Sequence, residues 1–115
     1  MKVKIAVVYL DGAQSYLEKM PEKARKKMLY NISLVQMGVK DDSIFKKLSH
    51  SGIWEFRVEY QKMDFRLLAF WDKFHNSIVV ATHGFDKKSQ KTPRKEIINA
   101  EKLREDYYKN TIKWK

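Results

Sequence analysis

The sequence predicts an α+β fold: an N-terminal strand and a helical hairpin packed on one face of a mainly antiparallel sheet, with a helix at the C-terminal end. Three observations carry this. Trp54, Phe56, Val58 and Tyr60 alternate with Glu55, Arg57 and Glu59 in strict period two, the mark of a strand with one buried face. Two further segments, Asp64 to Trp71 and Ser77 to Phe85, are almost wholly apolar and belong in the middle of a sheet. Upstream and downstream of these, apolar residues recur at helical spacing instead.

Composition sets the limits. With 115 residues, 43% of them hydrophobic and 13% aromatic, the chain fits one domain spanning residues 1–115. A domain of this size buries roughly two-thirds of the surface its unfolded chain exposes. No apolar run approaches the roughly 20 residues of a membrane helix, and the N-terminus lacks a signal-peptide cleavage pattern, so a soluble cytoplasmic protein is expected. The absence of cysteine removes disulfides, a thiolate nucleophile and any Cys-based zinc site.

Taken in order, Val3 to Leu10 reads as a largely buried first strand ending at the turn signal Asp11-Gly12. Ala13, Tyr16, Leu17 and Met20 then form the apolar stripe of a short helix, which Pro21 stops. Glu22 to about Met37 is a second helix, packed through Ala24, Met28, Ile32 and Val35, with Gly38 at its C′ position. The cations Lys23, Arg25, Lys26 and Lys27 read as a solvated face. Val39 to Leu48 is a connector, and its Asp41-Asp42 pair has no further ligand at a metal-binding spacing.

Two-residue hairpin loops at Lys62-Met63 and His75-Asn76 would set Arg57 opposite Leu68, Glu59 opposite Arg66 and Leu68 opposite His83. Arg57, Arg66 and His83 then share one face. Trp54, Phe56, Val58, Phe65, Leu67, Ala69, Trp71, Ile78 and Val80 share the other, against which the hairpin of helices packs. Thr92-Pro93 reads as an N-cap followed by Pro at N1, opening a helix that runs to about Lys109 with Ile97, Ala100, Leu103 and Tyr107 inward; residues 111–115 read as a frayed tail.

A net charge of +10 points to an anionic partner, and the excess lies mostly in the sheet and the segments C-terminal to it. There is no Walker loop, dinucleotide fingerprint, nucleophile elbow or HExxH helix. What remains is a face of Arg, His and Lys, a set suited to cleaving RNA without a metal. Guanidinium groups stabilise a phosphorane, and a His or Lys of perturbed pKa moves the protons. Plainer readings stand beside this one: Arg57 and Arg66 can pair with Glu55, Glu59 or Asp64, and a lone His in an apolar strand is more often a hydrogen-bonded core residue.

The run Gly52-Ile53-Trp54-Glu55-Phe56-Arg57, then Asp64-Phe65-Arg66-Leu67-Leu68-Ala69-Phe70, then His83-Gly84-Phe85-Asp86-Lys87-Lys88-Ser89-Gln90-Lys91-Thr92-Pro93, resembles the HigB branch of the RelE/ParE toxin superfamily. The resemblance implies a RelE-like fold and a type II toxin that enters the ribosome and cleaves mRNA. It also implies inactivation by a cognate antitoxin carrying a helix-turn-helix domain, with no cofactor, metal or membrane involved. By the same resemblance Arg57 and Arg66 belong to the active face, Lys87 and Lys88 lie near the phosphate, and Lys46, Lys47, Lys91, Arg94 and Lys95 contact RNA or ribosome. His83 is taken as a proton carrier on the strength of the shared sheet face. Inhibition of DNA gyrase, as in the ParE branch, and noncatalytic nucleic-acid binding are the alternatives on the same fold.

Overall fold

The period-two and doubly apolar segments form the centre of one five-stranded sheet. In this computed structural model residues 4–88 and 91–113 are described, with side chains as far as residue 110. The elements are β1 (Ala6–Tyr9), α1 (Asp11–Lys19), α2 (Glu22–Gln36), β2 (Phe45–Lys47), β3 (Trp54–Tyr60), β4 (Met63–Trp71), β5 (Ile78–Lys87) and α3 (Arg94–Lys113). Strand order is β1-β5-β4-β3-β2; β1 runs parallel to β5 and the other pairs are antiparallel. Of the expected first strand, Val3 lies outside the described residues, as do Ser89 and Gln90 of the basic segment.

Local chemistry explains the boundaries. Asp11 and Gly12 open α1 instead of forming a separate turn: the Asp11 carboxylate suits the positive end of the helix dipole. Gly12 lets the helix approach β5, since a Cβ there would sit 3.1 Å from the Thr82 carbonyl oxygen. Pro21 sits just before α2, and its carbonyl accepts the Arg25 N–H. At the far end Gly38 has φ +94°, its N–H bonds the Val35 carbonyl at 2.9 Å and the Val39 N–H bonds that of Leu34 at 3.0 Å. That is a Schellman closure with glycine at C′.

Several strand expectations are corrected. β1 is an edge strand with Val8 40% exposed, not a buried one, and the connector contains the short edge strand β2. The β3–β4 turn is Gln61-Lys62, with φ of 51° and 66°, so Tyr60 pairs with Met63, Arg57 with Arg66 and Glu59 with Asp64. Positive φ at both central residues matches the twist of the flanking strands but normally calls for Asn or Gly, which this turn lacks. The shift is by two residues, so each side chain keeps its face. Between β4 and β5, Leu68 pairs with His83 but Ala69 pairs with Ala81, leaving Thr82 as a bulge. The extra residue reverses parity: Ile78 and Val80 go to the α3 side, and Val79 and Ala81 take their expected places under the helical hairpin. α3 continues past Lys109 to Lys113.

Both faces therefore carry apolar packing. On one, Ala13, Leu17, Met28 and Ile32 of the hairpin cover Phe56, Leu67, Ala69 and Val79. On the other, α3 brings Ala100 to Ile53, Leu68, Phe70 and Val80. Far along α3, the Tyr107 hydroxyl donates to the buried Asp72 carboxylate at 2.8 Å. Burial pushes Asp72 up, but this bond and those from the Phe74 and His75 N–H groups outweigh it and hold the carboxyl below its ordinary value.

α1 is clamped to β5 where Tyr16 lies over Gly84 and its hydroxyl donates to the Phe85 carbonyl and, at 2.8 Å, to Asp86. A methyl group on Gly84 would overlap the Tyr16 ring. Gly84→Ala is expected to destabilise the fold by about 1–3 kcal/mol through overpacking, read as a lower urea midpoint with an unchanged slope.

Candidate functional site

The register of β3, β4 and β5 builds the site in rows. Arg57 lies across from Arg66, Glu59 across from Asp64, and Asp64 across from Lys87. Period two sends all of these to the side of the sheet that α3 partly covers. The helix packs on the Leu68, Phe70 and Val80 end and leaves the charged end open. There a cleft of about 930 Å³ is lined by Arg57, Lys62, Arg66, Lys87 and Lys88, with Glu59, Asp64 and Asp86 among them.

Arg66 is the floor. It is 5% exposed, and its Nε lies 2.9 Å from Oε1 of Glu55, itself 2% exposed. The N–H does not point along that line, so the contact is an ion pair and not a well-formed hydrogen bond. Arg66 Nη1 donates to the Phe65 carbonyl at 3.0 Å, and Nη2 is 3.9 Å from Asp64. The other Glu55 oxygen accepts the Thr92 hydroxyl at 2.8 Å. Thr92 is thus not the expected N-cap; the Pro93 carbonyl accepts the first helical N–H groups, from Glu96 and Ile97. Neither Glu55 nor Thr92 is a predicted site residue. The signal available was a carboxylate placed in alternation with Arg57 on the same strand face.

Arg57 is the more open of the two guanidiniums. Its Nη1 reaches the Asp42 carbonyl at 3.3 Å, while its Nε is buried and meets no acceptor among the described residues. Beside it, burial holds the Lys87 ammonium below the ordinary lysine value; Glu55 opposes this, Arg66 and Arg57 reinforce it, and Asp64 opposes it. Tyr16, at the edge, goes the other way. Burial, and then the Asp86 carboxylate that accepts its hydrogen bond, push the phenol up.

A second hollow, of about 470 Å³, shares Arg57 and Lys87 with the cleft and adds Lys46, Lys47, Lys91 and Arg94. Four of the five predicted RNA contacts are therefore brought together next to the cleft. Lys95 is exposed and lines neither hollow. His83 is not brought to the arginines. It lines a separate hollow against α3, with Nε2 3.0 Å from Glu96 Oε1 and Nδ1 3.1 Å from Thr82 Oγ1. No cluster of three His, Asp or Glu side chains able to hold a metal ion forms among the described residues.

Residues 15–105, which include every side chain lining the cleft, match the family model of the phage-derived Gp49-like proteins (DUF891). The chain belongs to this family. A solved structure of similar shape is the toxin–antitoxin complex RelBE2 from Mycobacterium tuberculosis. The similarity covers 77% of this chain and 98% of that one, at 19% sequence identity and a TM-score of 0.53. At this identity the shared feature is the fold, and it is the RelE-like fold that the sequence motifs imply. No curated protein sequence matches the chain.

In this Gp49-like protein the arginine pair across β3 and β4 depends on a carboxylate out of solvent. Glu55→Ala leaves the Arg66 guanidinium buried and unpaired, and an expected loss of about 3–5 kcal/mol follows. Replacing both partners by apolar residues of similar volume, Glu55→Leu with Arg66→Met, is expected to recover most of it in chemical denaturation.

Proposed function

We propose that this Gp49-like protein is the toxin of a type II toxin–antitoxin system, of the HigB-like branch, and that it cleaves mRNA on the ribosome without a metal. One observation carries the reading: Arg57 and Arg66 stand in register across two strands, beside a lysine held below its ordinary pKa, in an open cleft. Those are the groups that transesterification of RNA requires.

The 2′-hydroxyl attacks the adjacent phosphorus, forming the 2′-oxygen–phosphorus bond as the bond to the 5′-oxygen breaks. Charge accumulates on the non-bridging oxygens. Arg57, the more open guanidinium on the cleft wall, donates to them, and Arg66 adds fixed positive charge beneath. Lys87, whose burial favours the unprotonated amine, takes the 2′-hydroxyl proton, and Lys88 on the cleft wall protonates the leaving oxygen. Both His83 ring nitrogens have partners in another hollow, so the proton-carrying role passes to lysine.

The cleft is open and encloses no substrate, which is why a second body, the ribosome, is given the task of presenting the message. Lys46, Lys47, Lys91 and Arg94 in the adjoining hollow provide phosphate contacts for the flanking strand or for ribosomal RNA. The Mycobacterium tuberculosis protein of similar fold was solved in a toxin–antitoxin complex, which supports a protein antitoxin as partner. An acidic antitoxin segment laid over the cleft would neutralise it.

RNA 5′ ends mapped in a purified bacterial translation system, with and without ribosomes, test the proposal. Cuts are expected only in ribosome-bound message. Arg57→Ala should lower the rate about 10²–10³-fold, as loss of one donor to a developing oxyanion does. Lys87→Met should lower it about 10²–10⁴-fold, as loss of a general base does. Because burial disfavours the ammonium, wild-type rate should rise with pH below the range where an exposed lysine titrates, and Lys87→Met should flatten that rise. Absence of cuts in every condition would turn the reading toward gyrase inhibition or noncatalytic binding.

A further inference from the structure

A further concavity, of about 480 Å³, lies where β3 and β4 meet the later part of α3. Its lining combines two kinds of side chain. Trp54, Trp71 and Tyr108 are aromatic and half-buried; Lys47, Lys73 and Arg104 are cationic, with Glu105 the one carboxylate among the lining residues.

The aromatic surface is already ordered. Trp54 stacks on Phe45 at 4.9 Å between ring centroids and meets Trp71 edge to face at 6.2 Å. The Tyr108 hydroxyl accepts the Lys73 N–H at 2.9 Å, and the Lys73 ammonium stands 4.5 Å from the Tyr108 ring. Gly52 makes room for Arg104, whose Nη1 would be 2.7 Å from a Cβ at that position. Rings fixed in advance offer stacking area at little entropic cost.

This hollow is also joined to the others. Lys47 lines both it and the second hollow, and Arg57 and Lys87 line both the second hollow and the cleft. Through these shared cations the three concavities adjoin one another in series, from the arginine pair to the tryptophans. Cations along a groove with aromatic side chains at intervals are the chemistry of single-stranded nucleic acid, where phosphates follow the charge and unpaired bases stack.

We infer that the aromatic hollow is a subsite for an unpaired nucleotide of the same RNA strand that enters the cleft. Its base lies against the Trp54, Trp71 and Tyr108 surface, and its phosphate is held by Arg104 and Lys73. The assignment rests on the RNA reading of the cleft. A protein segment is the less favoured occupant, because it would not account for the continuity with the phosphate-binding groups.

Non-cleavable 2′-O-methyl oligoribonucleotides test it. A short one of about four nucleotides fills the cleft alone, and one of about twelve reaches the hollow, both within the range of single-strand site sizes. Affinity is measured by fluorescence anisotropy over a salt series. Arg104→Ala and Lys73→Ala, both at accessible side chains, should bind the short oligomer as wild type does. Each should weaken the long one by about ten-fold and reduce its log–log salt slope by roughly one. Trp114→Phe protein should show tryptophan quenching with the long oligomer only, and Arg57→Ala should weaken both lengths. If Arg57→Ala weakens binding while both hollow variants bind the long oligomer normally, the subsite is overturned and the cleft reading stands. If wild type binds neither oligomer, the subsite is overturned, and the cleft reading is decided by the cleavage assay on ribosome-bound message. Quenching by a polyglutamate peptide and not by the long oligomer would make the hollow a protein-docking surface and also overturn the subsite.

Discussion

The site depends on the ion pair between Arg66 and Glu55. Taking a guanidinium and a carboxylate out of water costs several kcal/mol for each ion, and their attraction offsets this only when both are held in good geometry with their remaining polar atoms satisfied. Here that is met in part: the Arg66 Nε–H is misaligned with Glu55 Oε1, and three segments hold the pair in place. β4 supplies Arg66, β3 supplies Glu55, and the approach to α3 supplies the Thr92 hydroxyl that occupies the second carboxylate oxygen. The position of α3 and the position of the cleft floor are thereby linked. A guanidinium locked in this way has little rotamer freedom left to lose when an anion arrives, and a preorganised charge is worth more to a transition state than a mobile one.

The sheet makes room for such a site by dividing its second face. One face is apolar except toward the end of β5, where Asp86 meets Tyr16, and takes the α1–α2 hairpin. The other is apolar only where α3 lies, and charged beyond. The bulge at Thr82 sets the division, because it sends Ile78 and Val80 to α3 while leaving Phe85 and Lys87 in step with Arg66 and Asp64. His83 sits at the seam between the two regions, where its contacts to Thr82 and Glu96 tie the strand to the first turn of the helix. Its part in the structure is to join these elements.

Much of this was legible in the sequence, and the reasons for the rest are physical. The alternation of Trp54 to Tyr60 fixes which residues face the hairpin core, and that assignment survives a two-residue error in register because parity is unchanged. A turn at Gln61-Lys62 gives no composition signal, since neither residue is the Gly or Asn that its backbone favours. A bulge is silent in the same way, as one unpaired Thr looks like any strand residue; it misplaced Ile78 and Val80. Parity also put His83 with Arg57 and Arg66, but it says nothing about how far a later helix extends over a face. The Thr92-Pro93 pair gave the start of α3 to within two residues while hiding the hydroxyl's bond to Glu55, a contact across 37 positions of sequence.

Placing two arginines directly opposite on neighbouring strands works against stability, because like charges in cross-strand pairs repel. The structure reduces this by neutralising one member. Arg66 faces Glu55 within the protein, so the excess positive charge at the cleft belongs chiefly to Arg57, Lys87 and Lys88, with Glu59 and Asp64 limiting how far it spreads. On the proposed reading, a phosphate entering there relieves repulsion among the cations, so part of the binding free energy is stored in the unbound fold as unbalanced charge. Burial depresses the Lys87 pKa; Glu55 opposes this and the two guanidiniums reinforce it. On the proposed reading, the cations that attract the RNA backbone therefore also help burial to prepare Lys87 as a base.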